Sequence, residues 1–209
     1  MSTGLKGPAY RIHTRRLVLR YRNPEDAPAL VAAIEANLEH LLPWMPWAKE
    51  KPLDLDLQIE RLRRVRADFD LNRNFEYGVF TRDETRVLGG AGLHTGIGEG
   101  AREIGFWIHK DHINQGLATE ASAALTKVAF EIDKVLRVEI HCDPNNTRSA
   151  AVPRKLGYVH EATLRQRDLT PEGKPRDTMI WTLLAEEYLA SPSSKAEIEA
   201  FDVIGRRLL

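Results

Sequence analysis

The sequence predicts an α/β fold built on a mixed sheet. Three observations carry that class. Apolar residues alternate along several short segments and recur at helical spacing along others. The two patterns interleave in the order β-α-α-β-β-β-α-β-α-β-β, which brings helices against a shared sheet. The chain has 209 residues, 43% of them hydrophobic, enough for one generous domain with its own core.

Residues Arg16-Leu17-Val18-Leu19-Arg20-Tyr21 alternate and form the first predicted strand. Asn23-Pro24-Glu25-Asp26 then opens a helix: asparagine caps, proline fits the first helical position, and the acids suit its positive end. Leu30, Val31, Ile34 and Leu38 give that helix one apolar face. Pro43 and Pro46 bar a continuous helix over 41–47. Trp44 and Trp47 therefore sit on an irregular segment, either as a core plug or as the wall of an acceptor pocket. Leu55, Ile59, Leu62, Val65 and Phe69 make 53–71 a second helix, with Arg61, Arg63, Arg64 and Arg66 on a solvated face. Residues 75–81 and 86–95 are strands around a turn at 82–85, and 96–100 is a glycine-rich loop. The strand 103–108 sets Glu103, Gly105 and Trp107 on one face and Ile104, Phe106 and Ile108 on the other.

Between that strand and an alanine-rich helix over 117–132 lies His112-Ile113-Asn114-Gln115-Gly116-Leu117-Ala118-Thr119-Glu120. A strand, a small-residue turn and a helix make an anion site, because the first helical N–H groups lack partners and the helix dipole adds positive potential. Residues 136–142 form the next strand. Asp143-Pro144-Asn145-Asn146-Thr147 is turn chemistry that can cap a helix ending at Gly157. Strands over 159–167 and 176–184 flank a loop at 170–175. Pro192-Ser193-Ser194 marks a boundary between a 1–190 domain and a 191–209 extension. Ile198, Phe201, Val203, Ile204 and Leu208 make 195–209 an appended amphipathic helix, free to fold back or to pack on a second copy as a homodimer.

Thirty basic and thirty acidic residues cancel, which gives no reason to expect a nucleic-acid partner. The one cysteine, Cys142, excludes an intramolecular disulfide and a cysteine-built metal site, and fits a reducing cytoplasm. Residues 1–7 carry no apolar signal-peptide core, and no apolar run approaches the roughly 18 residues that span a bilayer. The expectation is a cytoplasmic protein with no membrane partner and no metal.

Three blocks give the sequence a family resemblance. The turn Ile113-Asn114-Gln115-Gly116-Leu117-Ala118 is similar to the phosphate loop [Arg/Gln]-x-x-Gly-x-[Gly/Ala] of the GCN5-related N-acetyltransferase (GNAT) superfamily. Asp143-Pro144-Asn145-Asn146-Thr147-Arg148-Ser149, closing in Lys155-Leu156-Gly157-Tyr158, resembles a second family block. Leu42-Pro43-Trp44-Met45-Pro46-Trp47 resembles a segment of the ribosomal-protein N-acetyltransferase (RimJ/RimL-like) branch. The likeness covers roughly residues 10–190. It implies the GNAT fold, a central mixed and mostly antiparallel sheet flanked by helices, here with the C-terminal helical extension.

The resemblance also implies acetyl-CoA as donor and a primary amine as acceptor, either a protein N-terminus or a small molecule. Main-chain N–H groups of Asn114, Gln115, Gly116, Leu117, Ala118 and Thr119 would hold the pyrophosphate. Phe106, Trp107 and Ile108 would pair with the pantetheine arm like an added strand, and Asn146 would hydrogen-bond its end. Two positions depart from the family pattern. Ile113 stands where arginine or glutamine is usual, which trims affinity where binding is mainly through main chain. Pro153 stands where many relatives carry a proton-donating tyrosine, so the thiolate-stabilising role moves to Ser149, the nearest matched hydroxyl.

Acetyl transfer from a thioester to an amine needs a proton acceptor, a held nitrogen, an oxyanion donor and a proton for the thiolate. It needs no covalent enzyme intermediate. Glu103 is the first candidate base, at the start of the strand that meets the thioester. His141 is the second, on the neighbouring strand, and His94 the third. The backbone N–H of Trp107 or Ile108 is the expected oxyanion donor. Cys142 has no identifiable base beside it and reads as a buried structural residue. Two other functions stay open: acetylation of polyamines or aminoglycosides, with Glu35, Glu39 and Glu99 as possible carboxylates, and a non-catalytic acyl-CoA-binding module.

Overall fold

The computed structural model describes residues 8–48, 54–170 and 172–209. It begins with two strands, β1 (Arg11–His13) and β2 (Leu17–Tyr21). The sequence reading misses β1, which is three residues long and buries Ile12 alone, too little for a periodic signal. Pro24–Asp26 forms a 3-10 turn in which the Asp26 carboxylate accepts the Asn23 N–H at 2.7 Å. Helix α1 (Ala27–Ala36) ends at Asn37, so Leu38 belongs to a separate single turn, α2 (Leu38–Leu41). A 3-10 turn at Pro46–Ala48 follows.

Helix α3 (Leu55–Asp70) is capped by Asp54, whose carboxylate accepts the Leu57 N–H at 3.0 Å. Leu62 and Phe69 are its fully buried anchors, whereas Leu55, expected on the same stripe, is 43% exposed. Leu53, the expected start, lies outside the described residues. Arg63 and Arg64 are solvated as expected, but Arg61 reaches Glu76 and the Arg66 guanidinium lies 4.0 Å over the Tyr21 ring. The arginine face is thus only half solvated.

The remaining elements are β3 (Phe75–Thr81), β4 (Val87–His94), β5 (Ala101–Ile108), α4 (Leu117–Glu131), β6 (Arg137–Cys142), α5 (Thr147–Leu156), β7 (Val159–Leu169), β8 (Pro175–Leu184), α6 (Ala185–Tyr188) and β9 (Glu199–Phe201). Pro171, in the expected loop between β7 and β8, lies outside the described residues. Among the described residues the strands form one sheet in the order β7-β8-β6-β5-β4-β3-β2-β1-β9. Each neighbouring pair is antiparallel except β5 with β6. This is the mixed, mostly antiparallel sheet the sequence predicts.

Alternation along β5 assigns the two faces. Ile104 and Ile108 are buried in the large core with Ala121, Leu125 and Val128 of α4, while Trp107 joins a second cluster with Leu30 and Ile34 of α1 and Leu62 of α3. Helix α4 is buried nearly all round. No helix among the described residues is long and apolar enough to cross a membrane.

The C-terminal segment corrects the sequence reading. Residues 191–209 hold no α-helix. They make a 3-10 turn at Pro192–Lys195 and then β9, which pairs with β1 through Arg11↔Phe201, Ile12↔Ala200 and His13↔Glu199. The Asp202 carboxylate accepts the N–H groups of Ile204 and Arg206, and Gly205 takes φ +80°, so the chain turns where a helix would have to continue. The free edge of β1 supplies the partners that an isolated short helix lacks. Ile198, Leu208 and Leu209 pack on the main core, but Val203 and Ile204 are exposed. Ala200 is fully buried. Ala200→Asp is expected to cost about 2–4 kcal/mol of stability in chemical denaturation, because its carboxylate has no partner there. A detached C-terminal segment would leave stability unchanged.

Candidate active site

The site is built on a fork in the sheet. β5 pairs with β4 out to Ile108↔Gly89, but it pairs with β6 only through Ala101↔Arg137, Arg102↔Val138 and Glu103↔Glu139. Beyond Glu103 the two strands part, and β6 continues against β8. One edge of β5 is therefore open from Ile104 onward. Its phase is set by the His109 N–H, which donates to the Leu88 carbonyl at 2.8 Å. Backbone groups alternate between the two edges of a strand, so those of Gly105 and Trp107 also face β4. Those of Ile104, Phe106 and Ile108 face the gap. This corrects one expectation: the Trp107 N–H is turned to β4, and only Ile108 of the two named donors presents its N–H to the fork.

The fork opens into a cleft of about 530 Å³. Phe106, Trp107 and Ile108 form its floor. Asn114, Gly116, Leu117, Ala118 and Thr119 line the end next to α4, and Asn146 and Ser149 line the side next to α5. The structure therefore brings together nearly all the predicted cofactor residues. Gln115 is the exception. Its side chain turns outward to the Asp111 carbonyl at 3.3 Å.

The phosphate-loop turn is left-handed at Asn114 (φ +59°) and at Gly116 (φ +77°). The backbone N–H groups of 114–119 meet no protein acceptor among the described residues, the first intrahelical bond running from Glu120 to Gly116. The turn is tied to β2. The Gln115 carbonyl accepts from Arg16 Nη1 at 2.8 Å, and Glu120 accepts from Arg16 Nε at 2.6 Å and from the Thr14 hydroxyl at 2.6 Å. Burial alone would raise the Glu120 carboxyl, but the Thr14 and Arg16 hydrogen bonds outweigh it and hold it below the usual carboxylate range.

A segment missed as a unit by the sequence reading covers the cleft. His40, Leu41, Trp44 and Met45 face into it. At one end Asn37, fully buried, accepts the Lys110 N–H at 2.5 Å. At the other, the Trp44 carbonyl accepts from Arg176 Nη1 at 3.3 Å, and Arg176 is held by Asp168 at 2.6 Å. The two tryptophans divide between the two readings offered for them: Trp44 lines the cleft, and Trp47 packs 6.4 Å from Trp107 in the second cluster. Burial first, then Arg148, His109 and Lys110, keep the His40 imidazole below its usual titration range.

On the α5 side, Asn146 Oδ1 accepts the Ser149 N–H at 3.1 Å as helix cap, which leaves the Asn146 amide NH2 without a protein partner among the described residues. Ser149 is half-buried, with its hydroxyl beside the Cys142 thiol. Pro153 is buried inside α5 and donates nothing. Tyr158 is buried too, its hydroxyl bonded to Thr126 at 2.7 Å. Burial pushes the Cys142 thiol up to about 11, against the opposing pull of Ser149 and Trp181.

The candidate bases lie together at the root of the fork, on the sheet face that carries Trp107. His141 Nδ1 is 3.6 Å from Glu103 Oε2, and His141 Nε2 is 2.7 Å from Glu139 Oε2. Neither Glu103 nor His141 lines the cleft itself. His94 pairs in register with Glu103, and its ring bonds Asn74 at 2.9 Å. The sequence reading missed Glu139. The alternation Arg137-Val138-Glu139-Ile140-His141-Cys142, with polar residues at every second position, was the signal for it.

A model of the GNAT acetyltransferase domain matches residues 16–159. A putative ribosomal N-acetyltransferase of Bacillus subtilis (strain 168), YdaF, is 30% identical over 178 residues, covering 82% of this chain and 93% of that relative. The [ribosomal protein uS5]-alanine N-acetyltransferase of Escherichia coli (strain K12) is 25% identical over 183 residues, covering 87% and 94%. Mycobacterium smegmatis RimJ, solved in complex with CoA-disulfide, superposes with a TM-score of 0.79 over 90% of this chain and 94% of that one. At 24% identity that likeness shows the fold.

The raised, buried Cys142 thiol generates a prediction. Alkylation by chloroacetamide is expected to be slow at neutral pH and to quicken about tenfold per pH unit between pH 8 and 10, since only the thiolate reacts. A fast, pH-independent rate in the folded protein would mark Cys142 as an activated nucleophile instead.

Proposed function

The chain belongs to the GNAT acetyltransferase family, and on that premise we propose that it moves the acetyl group of acetyl-CoA to a protein N-terminal α-amine of the ribosomal-protein type. The fork carries the reading: an unpaired edge of β5 runs toward a turn whose N–H groups also lack partners. Both are main-chain donor sets, and together they suit the amides and pyrophosphate of a CoA arm. The curated relatives named for ribosomal-protein or uS5-alanine acetylation support a protein amine as acceptor.

The residues divide the work as follows. The N–H groups of 114–119 bind pyrophosphate, and Ile104, Phe106 and Ile108 pair with the pantetheine. Asn146 offers its free amide NH2. A main-chain N–H of the open β5 edge, Ile108 or Phe106, receives the developing oxyanion. Glu103 and His141 take a proton from the incoming ammonium, which frees the nitrogen lone pair to attack the thioester carbon. The C–S bond breaks, and the Ser149 hydroxyl stabilises the thiolate as it gains a proton. The second proton leaves the nitrogen as the amide forms, so the products are amide, CoA thiol and one proton released. No side chain becomes acylated.

Thiol release from acetyl-CoA tests this over a panel of peptides with free alanine or serine N-termini, the same peptides N-blocked, and polyamines. Turnover of the free peptides alone is expected. Turnover of polyamines alone would make it a small-molecule enzyme, and calorimetric binding of acetyl-CoA without turnover would make it a binding module. Within the enzyme reading, Ser149→Ala is expected to lower kcat by about 10- to 100-fold with little change in the KM for acetyl-CoA. Undiminished kcat removes Ser149 from the leaving-group step. Glu103→Gln is expected to alter the pH profile of kcat/KM, and an unaltered profile removes Glu103 as base.

A further inference from the structure

Strand β6 carries a polar array of which the roles above use only His141. Arg137, Glu139 and His141 stand at alternate positions of one six-residue strand and so share a face. Arg137 Nε donates to Glu139 Oε1 at 2.7 Å, and Glu139 Oε2 lies 2.7 Å from His141 Nε2. Burial works against ionisation of Glu139, but the hydrogen bonds from Arg137 and His141 outweigh it and hold the carboxyl below its usual range. An ionised carboxylate can only accept, so the proton on this imidazole must sit on Nε2. The Nδ1 lone pair is then turned to Glu103, 3.6 Å away, too long for a direct hydrogen bond. Two proton acceptors thus converge at the root of the fork. Glu103 and Glu139 are register partners there, in the last row before β5 and β6 part. The other groups facing this point are His94 of β4, beside Glu103, and Thr182 and Ile180 of β8, which carry no charge.

We infer that Glu139 is a positioning residue: held by Arg137, it fixes the His141 tautomer so that Nδ1, beside Glu103, accepts the proton of the acceptor amine. This rests on the base assignment made above. The logic is that of a carboxylate that orients a catalytic imidazole and sets which nitrogen reacts. It explains why a half-buried carboxylate, at 13% side-chain exposure, is kept beside the fork with both oxygens engaged.

The first test needs no substrate. At a pH where the ring is neutral, the 15N shifts of His141 in the wild-type protein should put the proton on Nε2. Glu139→Ala should lose that preference, while Glu139→Gln, which keeps an accepting oxygen, should retain it. A wild-type ring protonated on Nδ1, or one unchanged in Glu139→Ala, overturns the proposal. The second test is turnover of acetyl-CoA with a peptide bearing a free N-terminal alanine. Glu139→Ala should lower kcat on the order of 30-fold, part of the roughly 10²–10⁴ that a placed base contributes, with the KM for acetyl-CoA unchanged. Glu139→Gln should recover most of the loss. Wild-type kcat in Glu139→Ala with a slowed His141→Ala overturns the positioning role alone. Wild-type kcat in both His141→Ala and Glu103→Gln overturns the base assignment and the positioning role with it.

Discussion

A strand has two edges, and the edge of β5 that faces β6 is paired over only three residues. The rest of the site follows from that constraint. β4 holds the other edge of β5 from Glu103 to Ile108, and β8 holds β6, so the two strands stay rigid as they separate. What opens between them is an ordered row of main-chain donors and acceptors, already spaced for an extended ligand. Unpaired strand edges are usually covered or blunted because they invite association. Here the open edge is internal to the sheet and faces a cleft, so a slender chain can add to it more readily than another protein's strand.

Two polar ties keep the ends of that edge in place, one reaching solvent at Arg16 and the other built on a fully buried asparagine. Glu120 binds the first turn of α4 to the start of β2, which holds the phosphate-loop turn against the sheet. Asn37 binds the end of α1 to the chain just after β5. Each joins elements far apart in sequence at a point where main-chain geometry must be held within tenths of an ångström. A fully buried asparagine that satisfies one N–H and one carbonyl rigidifies the loop, because leaving either unmet costs about 1–3 kcal/mol.

The central elements were legible in the sequence because each has a strong local period. α4 reads from its alanines, β5 and β6 from alternation, and α5 from Asn146 at one end and Gly157 at the other. The turn at 113–118 was legible for a related reason: its character lies in the backbone, left-handed at Gly116, so glycine placement marks it. What was not legible depended on contacts across the sheet. β1 and β9 are three-residue strands held by their neighbours, β1 between β2 and β9 and β9 on the edge that β1 offers, and no short window of sequence contains those partners. The C-terminal apolar positions fit a helical pattern loosely, and tertiary pairing overrode it. The orientation of the Trp107 N–H could not be read either, because it is set by register with β4 rather than by anything in residues 103–108. Nor could the lining role of His40, which depends on where the segment from Asn37 to Ala48 crosses the fork.

The alternation of one strand divides the chemistry. On β6, Val138, Ile140 and Cys142 turn toward α4 and the core, and Cys142 brings its thiol beside Ser149. Arg137, Glu139 and His141 turn to the opposite face, where Glu103 meets them across the fork. Groups suited to the leaving thiolate and groups suited to the incoming ammonium thus lie on opposite sides of the same sheet. The fork is the passage between them. A one-residue slip of β6 against β8 would exchange the two sets, sending Glu139 into the core and the thiol to the open face. The six cross-strand pairs that β6 makes with β8, from Arg137↔Leu184 to Cys142↔Met179, prevent that slip. The register of a buried antiparallel pair therefore determines which side of the fork carries the carboxylate and imidazole and which carries the thiol.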